Sequence, residues 1–456
     1  MVDKQRLIRN GGSAPNQRAR RLCLDALEDA LGAIDPPKSL RAWLRVKQGR
    51  LVAGDLSVPV PKTIRVLSVG KASVPMIEAA LGILRDHVVS GILVAPKNEK
   101  VPKLSRQIQV FHSAHPFPDQ EGMRASKQVT SSINRMQNDE LLLCLISGGA
   151  SAMLPAPVDG VSLEEKKKIT QELIRSRASI HEINTVRRHL SKLKGGRLVE
   201  RCRAGTILSL IISDVSGNVL PDIASGLTAP DPTTFRDAVN VLKKFGLWDV
   251  APQSVRLHLG QGLRGQILET PKPGNRIFKK VHNFIIADNR TACEAARRAL
   301  QRRQTHSTIL TSSLDMEARS LGNLLASIAR ESERFDQPLR GSGALLLGGE
   351  TTVEVKGSGK GGRNQQTALS AVERIACLRG VVIAALGTDG VDGNSPAAGA
   401  IIDGYSMMRA ARLGLNVWEF MNRNDSYSFF RKLGDNIVTG RTGTNVGDLY
   451  LVVRAR

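Results

Sequence analysis

Leu141-Leu142-Leu143-Cys144-Leu145-Ile146 runs without a break into Ser147-Gly148-Gly149-Ala150-Ser151, and this join decides the fold class. An unbroken apolar run of this length suits a strand buried on both faces and is far too short to span a bilayer. The glycines and small hydroxyl residues that follow turn the chain tightly. They also gather backbone N–H donors at the start of the next element, a setting that suits an anion. An ordinary strand–helix connection has the same composition, so the loop gains weight only from its counterparts elsewhere.

Outward from this join the same alternation repeats. Ile64–Val69, Gly91–Val94, Thr206–Ile212, Phe284–Ala287, Ser307–Thr311, Ala344–Leu347, Val381–Leu386 and Asp448–Val453 read as strands. Helical patterns such as Glu121–Met136, Leu163–Arg175 and Gln365–Cys377 lie between them. Strands alternating with helices predict an α/β protein with largely parallel sheets flanked by helices. At 456 residues the chain exceeds one typical core. The Gly- and Pro-rich stretch Gln261–Lys280 divides it into a Rossmann-like domain over 1–275 and a smaller α/β domain over 281–456. No repeat is visible.

Hydrophobic residues make up 41% and charged residues 23%, as in soluble enzymes, and the net charge is +23. Such a charge first suggests nucleic acid. Aromatics at 4% supply few stacking platforms, however, and the cations are spread along the chain. Steering of small anions is the preferred reading, with neither nucleic acid nor membrane as partner. Five scattered cysteines without a C-x-x-C pair predict neither a disulfide framework nor a zinc site, with Cys144 and Cys377 in the core. The basic N-terminus has no apolar core of a secretory signal. A cytoplasmic location is expected, with a short mitochondrial presequence as the alternative.

Further strand tips carry chemistry. Ile64–Val69 ends in Gly70-Lys71-Ala72-Ser73, placing a lysine where open α/β sheets bind ligands. It is not a P-loop, because the first glycine is missing and Ala72 replaces the magnesium-binding hydroxyl. Thr206–Ile212 ends in Ser213-Asp214, a carboxylate able to bind Mg²⁺, accept a hydroxyl proton or simply cap a turn. Asn184 to Arg197 reads as a basic helix with Arg187, Ser191 and Lys194 near one face, either meeting phosphates or solvated. Gly357-Ser358-Gly359-Lys360-Gly361-Gly362-Arg363 is a glycine-rich, cation-bearing loop before a helix, read as a phosphate or carboxylate cradle. Glu350, Asp389 and Asp392 follow two more strands as metal or hydroxyl ligands. Together these tips point to an anionic ligand and a divalent metal, as in phosphoryl transfer.

The strings SVGKAS, HPFPDQEG, LISGGASAMLPAP, INTVRRHLSKLKGGRL, ISDVSGN, GGETTVEVKGSGKGGRNQ, GTDGVDG and TGRTGTNVGDL resemble the glycerate 2-kinase family from about residue 20 onward, with its MOFRL region at about 341–450. That resemblance implies two α/β domains with the active site in the cleft between them. It also implies ATP- and Mg²⁺-dependent phosphorylation of the 2-hydroxyl of D-glycerate by a monomer or homodimer. Lys71, Asp214 and Arg363 are then the catalytic or substrate-contacting trio. Ser147, Gly148, Gly149, Ser151, Gly357, Gly359, Gly361 and Gly362 are expected around the nucleotide, and Asp214, Glu350 and Asp389 around the metal. The chain departs from the family pattern at Ala150, Leu227, Arg441 and Asn394-Ser395-Pro396, the last replacing a segment with a carboxylate. A second enzyme reading is an NAD(P)H-dependent hydroxypyruvate reductase, because Gly357, Gly359 and Gly362 fit G-x-G-x-x-G. The alternating Thr352–Lys356 run is unlike the buried strand that motif needs.

Overall fold

Ile64–Val69, Leu141–Ile146 and Thr206–Ile212 form strands over the spans their sequences predict, in a computed structural model that describes residues 1–455. Arg456, the end of the expected second domain, lies outside the described residues. The chain divides into two units, Pro36–Ile286 and Met1–Asp35 together with the residues from Ala287 onward.

In the unit Pro36–Ile286, one six-stranded sheet has the order Ile108–Ser113, Val88–Pro96, Ile64–Val69, Leu141–Ile146, Thr206–Ile212, Val281–Ala287. Neighbours among the first five run parallel. Leu142, Cys144 and Ile146 are buried with Val69, Val129, Leu198 and Ile211, which is why these strands read as continuous apolar runs. Helix starts are locally encoded. Ser162 with Glu165 and Ser179 with Glu182 form capping boxes ahead of Leu163–Arg175 and Ile180–His189, each cap contributing about 1 kcal/mol. Strand order reverses between Ile64–Val69 and Leu141–Ile146, whose connections leave on opposite sides. Their carboxyl ends therefore flank the crevice where such sheets bind ligands. A small antiparallel sheet, Leu44–Lys47, Arg50–Ala53 and Leu56–Pro59, precedes it.

The other unit carries a six-stranded sheet in the order His306–Glu317, Gly343–Thr352, Asp448–Arg454, Val381–Gly387, Gly399–Asp403, Asn436–Ile437. The α/β class holds here, but the sheet is mixed rather than largely parallel. Asp448–Arg454 inserts antiparallel between Gly343–Thr352 and Val381–Gly387, and only the His306–Glu317 edge pairs parallel. Leu347, Ile383, Phe429 and Val452 lie in its core. The N-terminal helix Ala14–Ala33 belongs to this unit and packs on Asn289–Arg302. The chain leaves the first unit only after Val281–Ala287, not within the Gly/Pro-rich stretch, because that strand completes the first sheet. Cys377, expected in the core, is exposed. It sits beyond Arg363–Ala371 at a positive φ of 68°. Among the described residues no helix is long and apolar enough to cross a membrane.

Candidate active site

Four segments of the unit Pro36–Ile286 meet at the point where its strand order reverses. The Lys71 N–H donates to the Gly148 carbonyl (2.9 Å), and the Ala72 N–H donates to Ser147 Oγ (2.9 Å). The loop bearing Lys71 is thereby zipped onto the loop after Leu141–Ile146. At Gly148 an added Cβ would lie 2.0 Å from Asp214 Oδ2, so any larger residue would have to push that carboxylate aside. Gly149 has φ +87°, where a side chain is strained, and an added Cβ would lie 3.0 Å from His115 Cδ2. The Gly148–Gly149 backbone is thus held between the Asp214 carboxylate and the His115 ring. Beyond it, Ser151 Oγ meets Ser225 Oγ (2.7 Å), which donates to Asn184 Oδ1 (2.8 Å). The structure brings together Lys71, Ser147, Gly148, Gly149, Ser151 and Asp214 in this one place. Ala150–Met153 is only a single helical turn, so any anion held there relies on loop donors rather than on a helix dipole.

His115 was missed in the sequence because it falls in HPFPDQEG, outside any periodic run. Asp119 positions its loop, accepting from Ser113 Oγ (3.2 Å), the Ala114 N–H (3.1 Å) and the Gly122 N–H (2.9 Å) as the cap of Gln120–Asn134. Partial withdrawal from water, with the charges of Lys71 and Arg187, pulls the imidazole pKa down to about 4, so the ring is neutral at pH 7.

The basic segment corrects its sequence reading. The helix ends at His189, so Ser191 and Lys194 share no helical face with Arg187. Lys194 is buried and donates to the Leu154 carbonyl, and burial together with Arg187 brings its pKa down to about 7.

In the other unit, Arg363 opens the helix Arg363–Ala371. It grips buried Asp448 through Nε (2.5 Å) and Nη2 (3.1 Å), while Nη1 meets Glu350. Burial disfavours its charge, but Asp448 and Glu350 outweigh that and raise its pKa. Arg363 is thus oriented yet already balanced by carboxylates, so it supplies no surplus charge while both stay in place. Glu350 serves as its partner. The Asp389 carboxylate accepts the Val391 N–H (3.1 Å). Among the described residues no group of three or more His, Cys, Asp or Glu side chains gathers into a metal site.

The glycine-rich loop differs most from expectation. The N–H groups of Lys356 and Gly357 donate to Asn424 Oδ1, that of Gly359 to the Arg423 carbonyl, that of Lys360 to Asp425 Oδ1, and that of Gly361 to Asn394 Oδ1. Asp392 accepts from the Asn364 and Gln365 N–H groups at the helix start. Gly357, Gly359, Gly361 and Gly362 therefore let the loop pack against its own unit, and these donors are already used. The Asn394-Ser395-Pro396 departure takes part, since Asn394 pins Gly361 and Ser395 Oγ accepts from Gln365 Nε2 (2.7 Å). A surface hollow of about 660 Å³, lined by Glu78, Arg85, Val88 and Lys103, sits in the unit Pro36–Ile286 where the strand Val88–Pro96 begins, at the opposite sheet edge from the loops bearing Lys71, Gly148 and Asp214.

Comparison with known proteins places this geometry. A family described as "Domain of unknown function (DUF4147)" matches residues 22–260, and the MOFRL family matches residues 343–448. The chain is 38% identical to the glycerate 2-kinase of Pyrococcus horikoshii, covering 95% of this chain and 97% of that protein. It is 35% identical to the D-glycerate 2-kinase of Thermotoga maritima, with the same coverage. A putative hydroxypyruvate reductase of Agrobacterium vitis is 35% identical over 85% of this chain and 86% of its own. The crystal structure of glycerate kinase from Thermotoga maritima superposes with a TM-score of 0.83 at 34% identity, covering 95% of this chain and 99% of that one.

Proposed function

This chain belongs to the glycerate 2-kinase family, and we propose that it transfers the γ-phosphoryl group of ATP to the 2-hydroxyl of D-glycerate, giving 2-phosphoglycerate and ADP. The observation that carries this reading is the convergence of Lys71, Asp214 and the Gly148–Gly149 backbone where the strand order reverses. In the transfer, the glycerate oxygen forms a bond to phosphorus, the bond from phosphorus to the bridging oxygen of ADP breaks, and the hydroxyl proton leaves. Asp214 is the group placed to orient that hydroxyl and take its proton. Lys71 offers a cation to the charge that spreads over the phosphoryl oxygens. Ser147, Gly148, Gly149 and Ser151 form the small-residue loop against which phosphates can lie closely. The family resemblance gives Arg363 a role in the transfer as well, and its own unit shows how it is held. Its Asp448-held side fixes it, and the arm on exposed Glu350 is the one an incoming anion can take over.

Mg²⁺ commonly binds through one or two carboxylates plus substrate phosphates rather than in an all-protein cage. A single hard carboxylate such as Asp214 fits that requirement, whereas Glu350 is engaged by Arg363. When bound, the ion would offset phosphate charge.

The reductase reading finds less support. The G-x-G-x-x-G segment follows coil rather than a strand, and the N–H groups of Gly357, Gly359, Lys360 and Gly361 are paired within its own unit.

Purified protein supplied with ATP, Mg²⁺ and D-glycerate should yield ADP and a product whose phosphorus NMR coupling places phosphate on C2. Absence of turnover, or consumption of NADH with hydroxypyruvate, would sink the kinase reading. A Gly148→Ala variant probes the close approach to Asp214. Its Cβ displaces that carboxylate, and a shift on the order of 1 Å costs on the order of 10²-fold in kcat. Steady-state kinetics with a wild-type melting temperature is the expected result.

A further inference from the structure

The helix Ile180–His189 carries two adjacent arginines in opposite situations. Arg188 is fully buried and answered by carboxylates, with Asp222 Oδ1 at 3.1 Å and Asp231 Oδ1 at 3.0 Å. Arg187 is about 100° round the helix and half-buried. Among the described residues it has no ion pair and no hydrogen bond. The groups that feel its charge are themselves basic: His115, Lys166 and Lys194. The two lysines are turned onto backbone carbonyls, Lys166 Nζ donating to Pro155 and Leu190 (both 2.8 Å) and Lys194 Nζ to Leu154. A half-buried guanidinium among cations is costly, and no ion pair or hydrogen bond among the described residues offsets it.

Its position explains the cost. Asn184, one turn earlier on the helix, reaches Ser225 and through it Ser151. The arginine-bearing helix is thereby tied to the loop that follows Leu141–Ile146. His115, which feels both Lys71 and Arg187, lies against Gly149 of that loop.

We propose that Arg187 is a binding residue of this site, holding an anionic oxygen group of a reactant, either the carboxylate of the hydroxy acid or a phosphate of the nucleotide. The inference rests on the kinase reading and adds to it a residue outside the trio Lys71, Asp214 and Arg363. A planar guanidinium presents two parallel donors to such a group, and the bound anion supplies the charge the fold leaves out. Stability sacrificed at a functional position is the expected pattern for such a residue.

The test uses the full chain as wild type, Arg187→Gln and Arg187→Lys. Arg187→Gln should raise one KM by about 10- to 100-fold, the loss of a charge-assisted pair, with partial recovery in Arg187→Lys. Its melting temperature should equal or exceed that of the wild type, since an unanswered charge is removed. A raised KM for D-glycerate with unchanged KM for ATP assigns the carboxylate, and the reverse assigns a phosphate. Unchanged KM values for both, or a lowered melting temperature with both impaired alike, would overturn the proposal. If the wild type shows no turnover, the kinase reading fails by itself. Calorimetric titration with D-glycerate alone and with inorganic phosphate alone then reads the residue directly. Binding seen in the wild type and lost in Arg187→Gln supports it, and binding that is absent or equal in both overturns it.

Discussion

An Asp214→Asn enzyme is expected to melt with the wild type and to lose about 10²- to 10⁴-fold in kcat, the range for a positioned proton acceptor. The substitution preserves the size of the side chain at the tip of Thr206–Ile212, so the contact with Gly148 survives. What it removes is the negative charge and the capacity to take the hydroxyl proton. Because that interaction matters mainly as the proton departs, KM for D-glycerate should move by no more than a few-fold while kcat falls. Steady-state kinetics alongside a thermal melt make the comparison. Wild-type turnover in Asp214→Asn would show that the hydroxyl is activated elsewhere, and the site would have to be rebuilt around another group. The result gains meaning from Gly148→Ala, which moves the same carboxylate without changing its charge. A loss in both places the chemistry at Asp214. A loss in Gly148→Ala alone points to the loop backbone.

The part of this site legible in the sequence is the part written by local patterns. An apolar run followed by glycine and a polar residue announces a buried strand and its tip, so Lys71, Gly148, Gly149 and Asp214 could be found residue by residue. The strands that carry them took their expected bounds. What stayed hidden depends on partners distant in sequence. Arg187 and Arg188 look alike in the string INTVRRH, and only Asp222 and Asp231, folded against one of them, separate an answered charge from an unanswered one. The glycine-rich loop reads as an open cradle until Asn394, Asn424 and Asp425 return to occupy its donors. In the second sheet, the final strand Asp448–Arg454 gives no sign in its own residues that it will insert antiparallel. His115 lacks any periodic context and is placed by Asp119 and Gly149. Local chemistry marks where a ligand can be met, and tertiary pairing decides which charges remain to meet it.

The N-terminal helix shows the same long reach, and it leads to the largest expected effect on stability. Arg20 is fully buried. It meets Asp403, donates to Asp435 Oδ1 (3.0 Å) and Oδ2 (3.1 Å), and caps the Leu7 carbonyl (2.8 Å). Burial opposes its charge, but the two carboxylates outweigh that and raise its pKa. Arg409 also reaches Asp435, whereas among the described residues Asp403 pairs with Arg20 alone, and burial already pushes its carboxyl pKa up despite Arg20. Arg20→Met fills the space without answering either carboxylate, which should cost about 3–5 kcal/mol. For a unit of this size that corresponds to roughly 6–20 °C in its melting transition. The pH dependence identifies the cause. Without Arg20 the folded-state pKa of Asp403 rises further, so the protonated form is favoured at low pH and stability falls as pH climbs through that raised value. Calorimetric scans should therefore show a larger deficit at pH 8 than at pH 5, and Arg20→Met with Asp403→Asn should recover part of it. A deficit independent of pH would mean that packing of the helix Ala14–Ala33, not its buried charge, holds the N-terminal residues to their unit. Arg20→Met melting like the wild type at pH 8 would remove both explanations.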